Sequence, residues 1–113
     1  MHPTASGLPQ AIDRYQLAHD HHDTETALSA FATDATVTDE NRTYVGVDQI
    51  RTWLTTAATE FTYARTFVNA EQTSPTTWLV VNHLAGNFPG GRVDLRYQYT
   101  LIGDRISTLT ISP

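Results

Sequence analysis

The spacing of apolar residues changes once along this chain, and that change limits the possible folds more than any other feature. Before Phe61, apolar residues recur at helical spacing over 8–22, 24–32 and 48–60. After it, segments rich in β-branched and aromatic residues predict strands over 61–70, 77–88, 92–102 and 105–112. Helices followed by a run of strands indicate an α+β domain with helices covering one face of an antiparallel sheet.

A short strand is predicted between the second and third helices, over 34–39. Alternation places Ala35, Val37 and Asp39 on one side, and residues 40–42 form a turn before a short extended piece at 44–45. A carboxylate held among apolar neighbours has its charged form disfavoured, which raises its pKa and suits a general base. The same position also suits an exposed carboxylate that caps the turn. Alternation alone leaves both interpretations open.

The hairpin over 77–102 predicts which sheet face packs on the helices. If Gly90 and Gly91 form a two-residue turn, Asn82 lies opposite Tyr99. One face then carries Trp78, Val80, Asn82, Leu84, Phe88, Val93, Leu95, Tyr97, Tyr99 and Leu101, and it is the more apolar one. We therefore expect this face to be buried, because a slip by one residue would bury charged side chains instead.

Length and composition exclude several classes of protein. The 113 residues allow one domain over 8–113, preceded by a flexible tail over 1–7. A chain without cysteine or lysine has neither thiolate nor Schiff-base chemistry, and a net charge of −5 argues against general nucleic-acid binding. No apolar run approaches the roughly 18 residues of a membrane span, and the first residues do not read as a signal peptide. We expect a cytoplasmic protein.

The first predicted helix places Tyr15 and His19 on its apolar face. A buried tyrosine hydroxyl needs a partner, which is either the protein itself or the carbonyl oxygen of a substrate. The segment 19–23 also contains three histidines and two aspartates, but it lies at a helix end where Asp23 suits an N-cap. We predict no metal site and no cofactor.

The order of elements and one local signature resemble the SnoaL-like and ketosteroid-isomerase-like branch of the NTF2-like superfamily. The signature is the sequence DATVTD over 34–39 followed by GVDQI over 46–50. The resemblance covers about 10–111. It implies a cone-shaped fold, in which a curved antiparallel sheet wraps around three helices and encloses a pocket. It also implies a homodimer, for which we expect an outer-face contact through Arg96, Gln98, His83 and Asp94.

The same resemblance assigns site residues. Asp39 matches the general base and Tyr15 the oxyanion-binding tyrosine, while His19 and Trp53 match the pocket wall. We also expect Asn82, Tyr97 and Tyr99 to bind the ligand. The protonated aspartate of ketosteroid isomerase has no clear counterpart, so steroid isomerisation is not implied. Its place falls near 97–99, so either Tyr97 and Tyr99 or Gln98 with His83 line the pocket.

Three functions follow from these expectations. The first is proton transfer next to a carbonyl of a small hydrophobic molecule, as in isomerases and cyclases. The second is a catalytically silent module that uses the same fold to bind a ligand or to dimerise. The third is hydration chemistry, in which Asp39, Arg65 and Asn82 position a water; it requires Arg65 to point inward together with Phe61, Tyr63 and Phe67. The fold family alone does not decide among them.

Overall fold

A curved, unclosed sheet with three helices forms the architecture of this protein, as the sequence predicts. The computed structural model describes residues 8–56 and 61–113. Within them the elements are α1 (Gln10–Asp20), α2 (Thr24–Ser29), β1 (Phe31–Asp39), β2 (Arg42–Val45), α3 (Gly46–Thr55), β3 (Tyr63–Ser74), β4 (Thr77–Gly86), β5 (Arg92–Ile102) and β6 (Arg105–Ser112). The strands form one sheet in the order β2-β1-β6-β5-β4-β3. None of the described helices is long and apolar enough to cross a membrane.

The boundaries of β5 and β6 are confirmed, whereas β3 ends at Ser74 rather than residue 70, and β1 begins earlier than predicted. This strand begins at Phe31 rather than residue 34, because the Phe31 side chain is buried in the core and its backbone pairs with Ile106 of β6. That pairing is parallel, whereas all other strand pairs in the sheet are antiparallel. The predicted tail over 1–7 and the predicted helix end over 57–60 lie outside the described residues.

The hairpin between β4 and β5 keeps the predicted faces but not the predicted register. Asn82 pairs with Leu95, and Tyr99 pairs with Trp78, so the expected Asn82–Tyr99 pair is wrong. The reason is a longer connection over 87–91, closed by a hydrogen bond from Gly86 N–H to the Gly91 carbonyl at 2.9 Å. The shift is by an even number of residues, which leaves each side chain on its original face.

The predicted inner face is confirmed as the buried one. Its central residues are largely or fully inaccessible: Val80, Asn82, Leu84, Tyr97 and Tyr99. On the opposite face Arg96 and Gln98 are exposed, and His83 Nδ1 lies within hydrogen-bond distance of Asp94 Oδ1, at 2.6 Å. The inward residues of β5 are therefore the two tyrosines, and the alternative with Gln98 and His83 does not apply.

A chain of polar side chains attaches α1 to the sheet. The Asn82 amide donates to Gln16 Oε1 at 2.7 Å, and its carbonyl oxygen accepts from Arg65 Nη1 at 3.2 Å. The Arg65 guanidinium also donates from Nε and Nη2 to the Asp20 carboxylate at 3.0 and 2.7 Å. Gln16 and Asp20 lie on α1, Arg65 on β3 and Asn82 on β4. The links therefore set the position of α1 on two strands.

We predict that replacing Arg65 destabilises the fold far more than replacing an arginine of an exposed ion pair. Arg65→Met leaves Asp20 and Asn82 without their donor in a partly buried setting, at a cost of about 2–3 kcal/mol. The matched control is Arg51→Met, because the Arg51–Glu25 pair is largely exposed and contributes at most about 1 kcal/mol. Urea unfolding of both variants measures the two losses. Equal losses would contradict a structural role for the Arg65 links.

Candidate functional site

A cavity of about 460 Å³ lies between α1, α3 and the inner face of the sheet. Five of the seven residues predicted for the site line it: Tyr15, His19, Asp39, Trp53 and Tyr97. They come from four separate elements, α1, β1, α3 and β5. The fold thus brings together side chains that are far apart in the sequence.

Asp39 reaches the cavity because it ends the alternating strand β1. Ala35 and Val37 on the same side are fully buried, and Asp39 is half-buried at the end of this row. The chain then reverses through Glu40 and Asn41, whose φ angles of 52° and 64° are typical of a tight hairpin turn. The Trp53 indole Nε1–H donates to Asp39 Oδ2 at 3.1 Å, which fixes the carboxylate against α3.

The surroundings of Asp39 make its carboxylate more basic than that of an exposed aspartate. Burial raises the pKa of Asp39 above its usual value of 3.8, while the hydrogen bonds from Trp53 and from the Glu40 backbone partly oppose this shift. The first effect is the larger one, because removal from water penalises the charged form. The direction is the one expected for a general base.

Tyr15 is the polar group most deeply enclosed in the cavity wall. Its ring packs nearly parallel to those of His19 and Trp53, with centroids 5.8 and 6.3 Å away, and its side chain is 1% exposed. Among the described residues its hydroxyl has no hydrogen-bond partner. Burial raises the pKa of Tyr15 well above 10, with the nearby tyrosines and Asp39 adding to the shift. The hydroxyl therefore stays protonated and is available as a donor.

Tyr63 belongs to the site, although the sequence analysis did not propose it as a site residue. Its hydroxyl lies 3.0 Å from His19 Nε2, and both side chains line the cavity. Burial lowers the pKa of His19, so that the ring is neutral near pH 7, and it raises the pKa of Tyr63 to about 12. The sequence does contain a signal for Tyr63. The residue lies on the strand face that is predicted to point inward together with Arg65.

Two predicted ligand-binding residues lie outside the cavity wall. Asn82 is fully buried and is engaged with Gln16 and Arg65, and Tyr99 stands behind Tyr97 with their ring centroids 6.3 Å apart. Neither lines the cavity. The Arg65 side chain points inward, as the hydration hypothesis requires, and it contacts Asn82. Its guanidinium charge, however, is paired with the Asp20 carboxylate.

The hydration site expected from Asp39, Arg65 and Asn82 is therefore not assembled. Only Asp39 of these three residues reaches the cavity. Phe67, which was expected to share the inward face with Arg65, is 38% exposed and is followed by an irregularity in the pairing of β3 with β4. Two of the three groups that would hold the water are committed to structural contacts instead.

We predict that Asp39→Asn stabilises the protein at pH 7. A carboxyl group whose pKa is higher in the folded than in the unfolded state lowers stability once the pH rises through those values. Asparagine removes the charge but keeps an oxygen that accepts from Trp53. Urea unfolding should show the gain at pH 7 and almost none at pH 3, where the native carboxyl is also protonated. A ¹³C titration giving Asp39 a pKa below about 3.9 would contradict this assignment.

Comparison with known proteins places this geometry in a family. No family model and no curated protein matches the sequence. A candidate polyketide cyclase from Sinorhizobium meliloti is 31% identical, with a TM-score of 0.86 over 93% of this chain and 95% of that one. The two chains therefore share nearly the whole fold.

More distant structures agree in fold. A protein with a ketosteroid isomerase-like fold from Catenulispora acidiphila, solved with trimethylamine, is 17% identical over 93% of this chain and 85% of that one (TM-score 0.80). RV0760c from Mycobacterium tuberculosis, solved with estradiol-17β-hemisuccinate, is 16% identical over 91% and 90% (TM-score 0.76). The chain described here therefore belongs to the NTF2-like superfamily, as a SnoaL-like domain.

Proposed function

We propose that this protein binds a small hydrophobic molecule in the cavity and transfers a proton next to a carbonyl group of that molecule. Asp39 is the general base, and Tyr15 donates a hydrogen bond to the carbonyl oxygen. The observation that carries the proposal is the pairing of two groups in one largely apolar cavity. One is a half-buried carboxylate of raised pKa, and the other is a buried hydroxyl with no partner among the described residues.

The proposed step needs only these two groups. Asp39 takes the proton from the carbon next to the carbonyl, and the bonding electrons move into a new carbon–carbon double bond as the carbonyl oxygen becomes an enolate. The Tyr15 hydroxyl stabilises that oxygen, since a donor already in place needs no reorganisation as charge develops. Return of the proton to another carbon gives isomerisation. Attack of the enolate carbon on a second carbonyl gives cyclisation.

The neighbouring structures support a small-molecule role at this level. The Sinorhizobium meliloti protein is a candidate polyketide cyclase, and the Mycobacterium tuberculosis protein was solved with a steroid ester. Polyketides contain carbonyl groups, and the steroid ester combines an apolar ring system with an ester carbonyl and a free carboxyl group. The cavity of this chain is lined by side chains suited to such molecules, including Trp53, Tyr97 and Leu95.

A catalytically silent binding module is the second candidate. The family's neutral acid would fall near 97–99, where Gln98 is exposed, Tyr99 is outside the cavity wall and Tyr97 lines it. A phenol is a weaker acid than a protonated carboxyl group, and burial raises the pKa of Tyr97 further. The two hydroxyls that could donate hydrogen bonds to an enolate oxygen, those of Tyr15 and Tyr97, are therefore weak donors. This favours ligand binding without turnover.

We predict that the protein accelerates exchange of the α-protons of 2-tetralone in D₂O, as followed by ¹H NMR. Asp39→Asn should slow this exchange by about 100-fold or more, because the general base is lost. Tyr15→Phe should slow it by about 100-fold, because the donor to the oxygen is lost. Asp34→Asn is the matched control at an exposed position near the middle of β1 and should leave the rate unchanged.

The binding of 2-tetralone is measured in parallel samples in H₂O through the Trp53 indole N–H signal. Binding without accelerated exchange would exclude the enzymatic proposal for this class of ketone and favour the silent module. Exchange that survives in Asp39→Asn would remove Asp39 as the base.

We also propose a cytoplasmic homodimer joined through the outer sheet face, where Arg96 and Gln98 are exposed beside the His83–Asp94 pair. Arg96→Glu should shift the protein toward the monomer, because it reverses a charge at the centre of that face. Arg105→Glu, a charge reversal at an exposed position after the β5–β6 turn, should not. Light scattering that shows only a 12.6 kDa species in the wild type would contradict the dimer.

A further inference from the structure

The cavity wall contains carboxylates but, among the described residues that line it, no lysine or arginine. Asp39 lies inside, and Glu40 follows it at the exposed rim. The titratable nitrogen in the wall is that of His19, which is neutral near pH 7 because burial lowers its pKa. The electrostatic potential of the cavity is therefore negative whenever Asp39 is ionised.

Two arginines near the cavity, Arg65 and Arg42, do not line it. Arg65 is held by Asp20 and Asn82. Arg42 pairs with Asp39 in the β1–β2 register, yet it is exposed and lines a separate groove together with Tyr44. An anionic ligand would thus meet carboxylates and find no positive partner, and burial of an unpaired charge is costly.

Aromatic rings form much of the remaining wall. Six residues contribute rings: Tyr15, Trp53, Phe61, Tyr63, Phe88 and Tyr97. The face of an aromatic ring attracts cations, and the attraction strengthens when the cation is shielded from water. A wall that combines such rings with a carboxylate has the composition of a site for organic ammonium groups.

We infer that the ligand of this cavity is an apolar organic cation, a molecule with a tertiary or quaternary ammonium group. The inference rests on the proposed function, because the same cavity must bind the ligand. A cationic ligand also supplies what the proposed chemistry lacks, which is a positive charge near the enolate oxygen. An enolate oxygen held by neutral donors alone is poorly stabilised, and a positive charge on the substrate offsets it at short range.

The test compares three phenols of similar shape and different charge. The probes are (4-hydroxyphenyl)trimethylammonium, 4-tert-butylphenol and 4-hydroxybenzenesulfonate. Their dissociation constants are measured at pH 7 from the Trp53 indole N–H signal. We expect the cation to bind about tenfold more tightly than the neutral phenol. We expect the anion to bind most weakly.

Charge-neutralising variants test the cause of this preference. Asp39→Asn and Glu40→Gln should each reduce the ratio of cation to neutral affinity, with the larger effect at Asp39, and should leave the affinity for 4-tert-butylphenol nearly unchanged. Glu71→Gln is the matched control, since Glu71 is exposed on β3 and does not line the cavity. It should leave the ratio unchanged.

The outcomes separate this inference from the proposed function. If 4-tert-butylphenol binds as tightly as the cation, or if the ratio is unaffected in both Asp39→Asn and Glu40→Gln, the cation preference is wrong while ligand binding in the cavity stands. If neither the neutral phenol nor the cation perturbs Trp53, both proposals fail together.

Discussion

The hydrogen-bonded links from Asp20 through Arg65 and Asn82 to Gln16 determine where α1 lies, and the candidate site depends on that position. Tyr15 and His19 directly precede Gln16 and Asp20 in the helix, so the links that hold two residues also fix their neighbours. Rotation of α1 by one residue would turn Tyr15 about 100° away from the cavity. Apolar packing alone tolerates such adjustments better than buried polar groups do, because each misplaced polar group loses its partner.

The second constraint is a conflict between stability and chemistry at Asp39. A half-buried carboxylate is disfavoured in its charged form, and the indole N–H of Trp53 only partly compensates. A core built for stability alone would place an apolar or amide side chain at the end of this row. The arrangement makes physical sense if the basicity gained by desolvation is used. The Tyr15 hydroxyl, which has no partner within 8–56 and 61–113, agrees with such a use.

The sequence predicted which face of the sheet each side chain occupies better than it predicted which residues pair across strands or contact one another. Alternation has a period of two, so the burial of Tyr97 and Tyr99 followed from the pattern even though the hairpin register was wrong. The length of the β4–β5 connection depends on a contact outside the hairpin. The backbone of Thr62 approaches Gly86 so closely that a Cβ there would lie 2.2 Å from its carbonyl oxygen. Nothing in the local sequence reports that approach. The sequence also placed Asn82 correctly on the inner face but did not report its partners Gln16 and Arg65, because these residues are distant in the chain.

The charge of the cavity wall limits which ligand and which chemistry the cavity can support. The resemblance implies that the family's neutral acid falls near 97–99, where the inward residues are tyrosines; their hydroxyls donate hydrogen bonds but cannot stabilise an anion as strongly as a protonated carboxyl group. Asp39 becomes neutral when it takes the proton and Arg65 is paired with Asp20, so no cationic side chain of the described wall compensates the enolate. Either the ligand brings its own positive charge or the protein binds it without forming an anion. The two cases require different things of the same side chains. Catalysis on a positively charged ligand needs Asp39 as a base, whereas binding without an anion needs only the charge of Asp39.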